Sequence, residues 1–332
     1  MVTKVRWGLL STARINRRLI PAIRASKRGE LVAVASRSAQ KSAEYAGEWK
    51  IPQSYGSYEA MLASDAVDAV YISLPNHMHA EWAVRALDAG KHVLCEKPFA
   101  ISIQQIDQMI AAQQRSGLVL QEAFMYRHHP QTKRMNEMMR DGELGEVLLV
   151  RSHFSFFMED RSTNVRMVPE YGGGSLWDVG IYPLSLAQMV FGGLPETVNG
   201  QQWIGDTGID DVFAGQLHYS GGRTAQISSG FQIPYETSAE IHGTKGRLTI
   251  NRPFVGSSDR ESKMVFTSAD GQSKTVQVPK TDAYECEVEN MNDAILDGVP
   301  TLVTLEESRK HVQVAVALYE SARTGQPVIL ER

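Results

Sequence analysis

Residues 91–99 read KHVLCEKPF: an apolar run meets Glu96, Lys97 and Pro98 without a spacer. Charge at the end of a buried strand is costly unless it is paired or used. A lysine held at such an edge supplies a cation and a proton donor to a neighbouring oxygen. Pro98 fixes the turn and is a candidate for a cis peptide bond. Alone, this tripeptide is better read as a surface Lys-Pro turn. A second set lies in residues 172–182, GGGSLWDVGIY, where Asp178 and Tyr182 are four residues apart. On a helix that spacing puts a carboxylate and a phenol on one face. Joined by a lysine from another part of the chain, they would form a proton-transfer site. The plainer reading is a capping Asp and a packed Tyr.

Both sets need a scaffold. Residues 4–123 alternate short apolar strands with helices of about a dozen residues, the pattern of a parallel sheet covered on both faces. KVRWGLLS, ELVAVASR, VDAVYISLP, KHVLCEKP and LVLQEAF are the strands. RINRRLIPAIRAS, SAQKSAEYAGEWK, YGSYEAMLAS, NHMHAEWAVRALDAG and SIQQIDQMIAAQQRSG are the helices, the last two ended by Gly90 and Gly117. After the helix PQTKRMNEMMRDGEL the pattern changes. EVLLVRSHFSFF, ETVNGQQWI, DVFAGQLHYS, RTAQISSGF, SAEIHGTKGRLTI, KMVFTSAD and SKTVQVP are strand-like and joined by Gly, Asp and Ser turns, so they form a large, mostly antiparallel sheet. Two helices close the chain. The fold class is α/β: a Rossmann domain over 1–123, then an α+β domain with an open sheet over 124–332, for substrate binding and oligomerisation.

The first strand delivers Gly8 to the first glycine position of a dinucleotide fingerprint and Ala13 to the last, with Leu10 in the middle. A tight turn at Gly8 followed by a helix N-terminus suits a pyrophosphate, with Ser11 and Thr12 adding hydroxyls. A plain strand-to-helix turn accounts for so degenerate a match equally well. The second strand ends in Ser36-Arg37-Ser38, where a site built for NAD carries Asp or Glu. A guanidinium and hydroxyls suit a 2′-phosphate, so NADP is expected, with NAD possible. Leu74, Pro75 and Asn76 end the next strand, at the edge where a cofactor crevice lies, and Glu96 and Lys97 reach the same edge. His77 and His79 lack a carboxylate or thiol at ligand spacing, so no metal is expected. His79 packs or hydrogen-bonds near the cofactor. Trp177 walls the nicotinamide side or packs.

Of 332 residues, 34 are Lys or Arg and 38 are Asp or Glu, giving net charge −4 with no basic block, which argues against nucleic acid or an anionic membrane as partner. Cys95 and Cys286 are the two cysteines, which fits a reducing cytoplasm better than a disulfide scaffold. No run approaches the ~18 apolar residues of a membrane helix. Apolar residues in RTAQISSGF and DVFAGQLHYS suggest a sheet face covered by a second copy, so at least a homodimer is expected; the alternative is that they face the domain's own helices.

Taken together, AVYISLPNHMHAEWAVRALDAGKHVLCEKPFA and GGGSLWDVGIYPL resemble the glucose–fructose oxidoreductase/inositol dehydrogenase/MocA family, over nearly the whole chain. The resemblance implies nicotinamide-dependent oxidation or reduction of a carbinol, usually on a sugar or cyclic polyol. It is greatest to the branch of dihydrodiol dehydrogenases, glucose–fructose oxidoreductase and NADP-linked aldose dehydrogenases. That branch has tyrosine at the position of Tyr182, where inositol dehydrogenases have histidine. Lys97 carries over as the lysine of the E-K-P motif and Asp178 as the helix carboxylate. Tyr182 is then the general acid or base, assisted by the Lys97 ammonium, with Glu96 holding Lys97 and Asp178 orienting a substrate hydroxyl. Tyr126, Arg127, Asn164 and Arg166 are candidates to bind hydroxyls, and Phe154 or Phe156 to stack on a pyranose ring. Each has an ordinary role in the sheet core or the domain interface as its alternative. The expected function is hydride transfer between the nicotinamide and a sugar carbinol. The alternatives are a trans-dihydrodiol or cyclic polyol dehydrogenase, and a catalytically silent dinucleotide sensor.

Overall fold

A computed structural model of the chain describes residues 4–254 and 262–331. Its contacts divide it into two compact units: the chain up to His128 together with Asp282–Ser308, and His129–Thr281 together with the segment from Arg309 onward.

The first unit holds a six-stranded sheet in the order β3-β2-β1-β4-β5-β6. Its strands are β1 (Val5–Leu10), β2 (Gly29–Ala35), β3 (Gln53–Tyr55), β4 (Ala69–Ile72), β5 (His92–Glu96) and β6 (Leu120–Ala123). All adjacent pairs are parallel. The strand order reverses between β1 and β4, which makes that pair the switch point where doubly wound sheets bind ligands. The helices are α1 (Asn16–Ala25), α2 (Ala39–Trp49), α3 (Tyr58–Leu62), α4 (His79–Asp88), α5 (Ile103–Ser116) and the short α6 (Met125–His128). Ser38, Ser57 and Ser102 cap α2, α3 and α5 by accepting from backbone amides of the first turn. Tyr55, read as the opening of a helix, instead ends the edge strand β3.

The second unit opens with α7 (Pro130–Arg140) and carries α8 (Ile181–Phe191). Its nine-stranded sheet runs β14-β13-β12-β11-β7-β10-β9-β8-β15. The strands are β7 (Val147–Phe157), β8 (Thr197–Ile204), β9 (Asp210–His218), β10 (Thr224–Gly230), β11 (Gln232–Gly243), β12 (Gly246–Asn251), β13 (Ser262–Ser268), β14 (Ser273–Val278) and β15 (Val328–Ile329). Among the described residues of this sheet, β7 with β10 is the one parallel pair. SAEIHGTKGRLTI is a hairpin of two strands, because Gly243 pairs Gly246 across the turn.

Two expectations need correction. A single cut at 123/124 leaves out α9 (Ala283–Asp297), which belongs with the first unit. Val288 and Met291 of α9 enter the core built by Trp7, Leu9, Ile20 and Leu31, and Asn292 Oδ1 accepts from Trp7 Nε1 at 3.0 Å. The amphipathic pattern of α9 says that it covers a sheet, but not which one. The apolar residues of β9 and β10 do not await a second copy. Phe213, Leu217, Ala225 and Ile227 are buried within their own unit. Contacts there include Phe213 on Tyr319 of α10 (Leu305–Thr324).

Candidate active site

The end of β1 differs from a simple glycine turn. Gly8 lies inside the strand, where an added Cβ would stand 2.9 Å from Met61 Sδ and 3.1 Å from Val67 Cγ1. It is needed for close packing, and the chain turns later, over Ser11–Ile15. Ser11 Oγ lies 2.7 Å from Ser73 Oγ and accepts from the Ala13 amide at 3.1 Å. Ser73 Oγ donates to Asn16 Oδ1 at 2.7 Å, and Asn16 Nδ2 donates to the Ser11 carbonyl at 2.8 Å. This buried knot ties β1, β4 and α1 at the switch point. Ser11 is therefore structural, Thr12 and Ala13 are half-buried on the turn, and Ser73 and Asn16 are residues that the sequence reading missed. Nothing in the local pattern distinguishes a buried Asn in the first helical turn.

At the end of β2, Ser36 is buried and its Oγ accepts from the Ser38 amide at 3.3 Å. Arg37 is exposed and hydrogen-bonds the hydroxyl of buried Tyr58, which burial pushes above its ordinary pKa while Arg37 pulls it down. No carboxylate ends this strand, so the donor set fits a dinucleotide bearing a 2′-phosphate.

After β4, Leu74 is buried, and Pro75 and Asn76 are half-buried on a turn that leads into α4. His79 is 1 % exposed, with Nε2 2.7 Å from the Leu74 carbonyl and Nδ1 2.8 Å from the Pro98 carbonyl. Burial holds its pKa below the ordinary value, although both carbonyls favour the cation. The Lys97–Pro98 peptide is cis, and the Phe99 amide donates to Glu122 Oε1 of β6 at 3.1 Å. The turn behind half-buried Lys97 is thus gripped by α4 on one side and β6 on the other. Glu96 accepts a hydrogen bond from the Tyr71 hydroxyl, and burial next to Glu96 pushes that hydroxyl well above its ordinary pKa.

Two of the proposed hydroxyl binders are interior groups. Tyr126 is 1 % exposed, and buried Arg127 donates to Glu307 Oε1 at 2.9 Å. A guanidinium inside a core takes a carboxylate partner, and Arg127 finds one in its own unit.

In the second unit the structure brings several predicted residues together. Arg166 Nε donates to Asp178 Oδ2 at 2.6 Å, and the Asn164 side chain caps the turn that carries Arg166, accepting from its amide at 3.1 Å. Asp178 sits in a π-helical turn, Leu176–Gly180, before α8 begins at Ile181. The bonding there is i→i+5, so the α-helical i,i+4 register expected for Asp178 and Tyr182 does not apply. Tyr182 is 6 % exposed among aromatic rings: Phe154 at 5.5 Å and Phe254 at 5.6 Å between centroids. Phe154 stacks on Phe254 with 12° between planes, so this ring already has a partner. Phe156 packs on Phe231, and Trp177 on Tyr319. Among the described residues, no group of three or more His, Cys, Asp or Glu could hold a metal ion, and no helix is long and apolar enough to cross a membrane.

Comparison with known proteins gives this arrangement a setting. Residues 5–124 match the oxidoreductase family with an NAD-binding Rossmann fold, and residues 132–249 match the GFO/IDH/MocA C-terminal domain. The chain is 40% identical over 327 residues to D-xylose 1-dehydrogenase (NADP(+)) 2 of Haloferax volcanii, covering 98% of this chain and 99% of the relative. It is 33% identical over 258 residues to trans-1,2-dihydrobenzene-1,2-diol dehydrogenase of Xenopus laevis, covering 75% and 76%. Among solved structures, a 3-ketoreductase from Actinomadura kijaniata in complex with NADP and TDP-benzene superposes with a TM-score of 0.90 at 30% identity, over 96% of this chain and 98% of that one. That enzyme has also been solved as a lysine-to-alanine and a tyrosine-to-phenylalanine variant. A Rossmann unit with a lysine turn gripped at the edge of β5, a second unit presenting Asp178 and Tyr182, and these matches over both parts lead to one conclusion: the chain belongs to the GFO/IDH/MocA family of oxidoreductases.

Proposed function

We propose that this protein is an NADP-dependent dehydrogenase or reductase of an aldose or a related pyranose. The observation that carries the reading is the Lys97 turn, with Pro98 and Phe99 held by His79 and Glu122 at the carboxyl edge of β5. A surface turn has no need of two buried polar anchors. Full-length similarity to an NADP-linked xylose dehydrogenase supports the sugar.

The α1 and β4 turns, with Thr12, Ala13, Leu74, Pro75 and Asn76, would hold the dinucleotide, and Ser36, Arg37 and Tyr58 would take its 2′-phosphate. When bound, the nicotinamide supplies a hydride acceptor or donor at C4. In oxidation, Tyr182 takes the proton of the substrate hydroxyl as hydride leaves the same carbon. In reduction, it returns that proton to the carbonyl oxygen. The Lys97 ammonium supplies a cation and a hydrogen-bond donor to the substrate oxygen. Asp178, held by Arg166, accepts from a neighbouring substrate hydroxyl and sets the ring's orientation. Glu96 fixes the base of the Lys97 turn.

A second reading, a dihydrodiol or cyclic polyol dehydrogenase, draws on the aromatic surroundings of Tyr182, which suit a flat, apolar ring. We further assign the protein to the cytoplasm and to a homo-oligomer. Exposed Phe157, Trp203, Ile204 and Tyr235 support the assembly, being large apolar groups more than 40 % accessible in the single chain. Initial rates over a panel of aldoses, cyclic polyols and a trans-dihydrodiol, each with NADP and NAD, test the reading. Turnover of aldoses with NADP supports it, preferential turnover of the diol selects the second reading, and no turnover with any pair refutes both in favour of a silent sensor. A monomeric mass by light scattering at micromolar concentration refutes the oligomer.

A further inference from the structure

Asp210, at the start of β9, is 2 % exposed and has no role in the chemistry above. Its Oδ2 accepts from Ser175 Oγ at 2.9 Å and from the Leu176 amide at 2.8 Å. Its Oδ1 accepts from the Tyr319 hydroxyl of α10 at 2.7 Å. Ser175 Oγ also lies 3.0 Å from Ser229 Oγ on β10. One carboxylate therefore ties two strands and a helix to the two residues that open the π turn carrying Trp177 and Asp178. The glycine run is shaped to it. A Cβ on Gly174 would fall 2.0 Å from Asp210 Oδ1 and 2.9 Å from the Tyr319 hydroxyl, and the φ of Gly174 is +120°. Gly173 is equally confined, with an added Cβ 2.5 Å from the Arg166 carbonyl.

Facing Asp210 are the phenol of Tyr319, the Ser175 hydroxyl and the Leu176 backbone amide. The neighbouring arginines in this part of the chain are bound elsewhere: Arg161 to Asp211 at 2.6 Å and Arg166 to Asp178 at 2.6 Å. A carboxyl buried among neutral donors is an expensive way to stabilise a fold, since an apolar group of the same volume often does as well. What it supplies is directional: three donors, two from the start of the π turn and one from α10, converge on one planar group.

We propose that Asp210 is a positioning residue, whose buried carboxylate locks the Gly172–Gly174 turn and the π turn so that Asp178 and Tyr182 are presented in one fixed geometry. The proposal rests on the reading of Tyr182 as the proton-transfer group. The full chain is compared as wild type, Asp210→Asn, Asp210→Glu and Tyr319→Phe, by circular dichroism, NADPH binding, and kcat and KM against pH. Asp210→Asn is expected to lower kcat on the order of tenfold to 10²-fold, the usual cost of small misplacements, with NADPH affinity held within about twofold. Tyr319→Phe, which removes one donor and keeps the ring, loses less, and Asp210→Glu recovers part of the loss.

Trp177 packs on Tyr319 with 5.6 Å between centroids, so its fluorescence reports the network without turnover. Burial raises the Asp210 carboxyl to about 6, and wild type should show a fluorescence transition there that is absent in Asp210→Asn and in Trp177→Phe. Native circular dichroism with kcat and KM within about twofold of wild type in Asp210→Asn overturns the proposal, as does an identical fluorescence titration in wild type and Asp210→Asn. If Asp210→Asn does not fold, Tyr319→Phe decides by kcat and KM, and wild-type values of both overturn the proposal. Failure of the wild type to turn over any substrate refutes the proposed function instead, and leaves the fluorescence result to decide on Asp210.

Discussion

The two turns that carry the candidate chemistry are held in opposite ways. The Lys97 turn continues a parallel strand, and its anchors come from nearby elements: His79 from α4, Tyr71 from β4 and Glu122 from β6. The sheet has already placed it, and short local contacts finish the work. The Asp178 turn leads from a loop into a helix, with no strand pairing to fix its start. It relies on side chains far along the chain, Asp210 and Tyr319. The lesson is that a residue at a strand end inherits its position from backbone hydrogen bonds, whereas one in a loop-to-helix junction must be given it by remote polar groups.

The sharpest test of that contrast is catalytic. Tyr182→Phe should lower turnover by roughly 10² or more, and Lys97→Met by a similar factor, with cofactor affinity nearly unchanged in the first. If the two residues serve one step, the double variant loses little beyond either single one. Near-normal turnover in Tyr182→Phe would remove the phenol from the mechanism, and fully additive losses would separate the pair.

The next effect concerns pH. The Asp210 carboxyl is raised to about 6 from an ordinary 3.8, so between those values the folded chain keeps a proton that the unfolded chain has released. That contribution favours folding in full below about pH 4 and is lost as pH rises through about 6. The stability of wild type relative to Asp210→Asn should therefore fall by up to roughly 3 kcal/mol between pH 4 and 7. Urea unfolding at several pH values measures it. A difference independent of pH would mean that the second turn does not depend on a titrating anchor, and the contrast between the two turns would weaken.

A comparable loss is expected where α9 meets the first sheet. Asn292→Leu leaves the buried Trp7 indole N–H without its acceptor and should destabilise the chain by about 1–3 kcal/mol. An unchanged urea midpoint would show that the Trp7–Asn292 hydrogen bond does not help to hold α9 on the first sheet.

The smallest effect is expected at the edge of the cofactor site. Arg37→Asp should shift preference from NADP towards NAD by at least about tenfold, since one charge-assisted contact is lost and a ribose-binding carboxylate is gained. Equal binding of the two cofactors by the wild type would break the expectation at its root.

Much of this was legible in the sequence because it is local. The alternation of apolar strands and helices in residues 4–123 and the switch to turn-linked strands after residue 146 follow from side-chain periodicity alone. Glu96-Lys97-Pro98 stood out because charge directly after an apolar strand calls for an explanation. Arg166 and Asp178 were both singled out, and the structure joins them as a pair. What the sequence by itself determined is thus the element types, the absence of a carboxylate after β2, and the residue types available for proton transfer. Tertiary structure decided the rest. It moved the first turn from Gly8 to Ser11–Ile15, drew Arg127 to Glu307, sent α9 back to the first sheet, and set Asp210 beneath the glycine run. The physical reason is common to all four. A buried polar group must find a partner, and which one it finds depends on elements that meet only after folding, a choice that no local periodicity encodes.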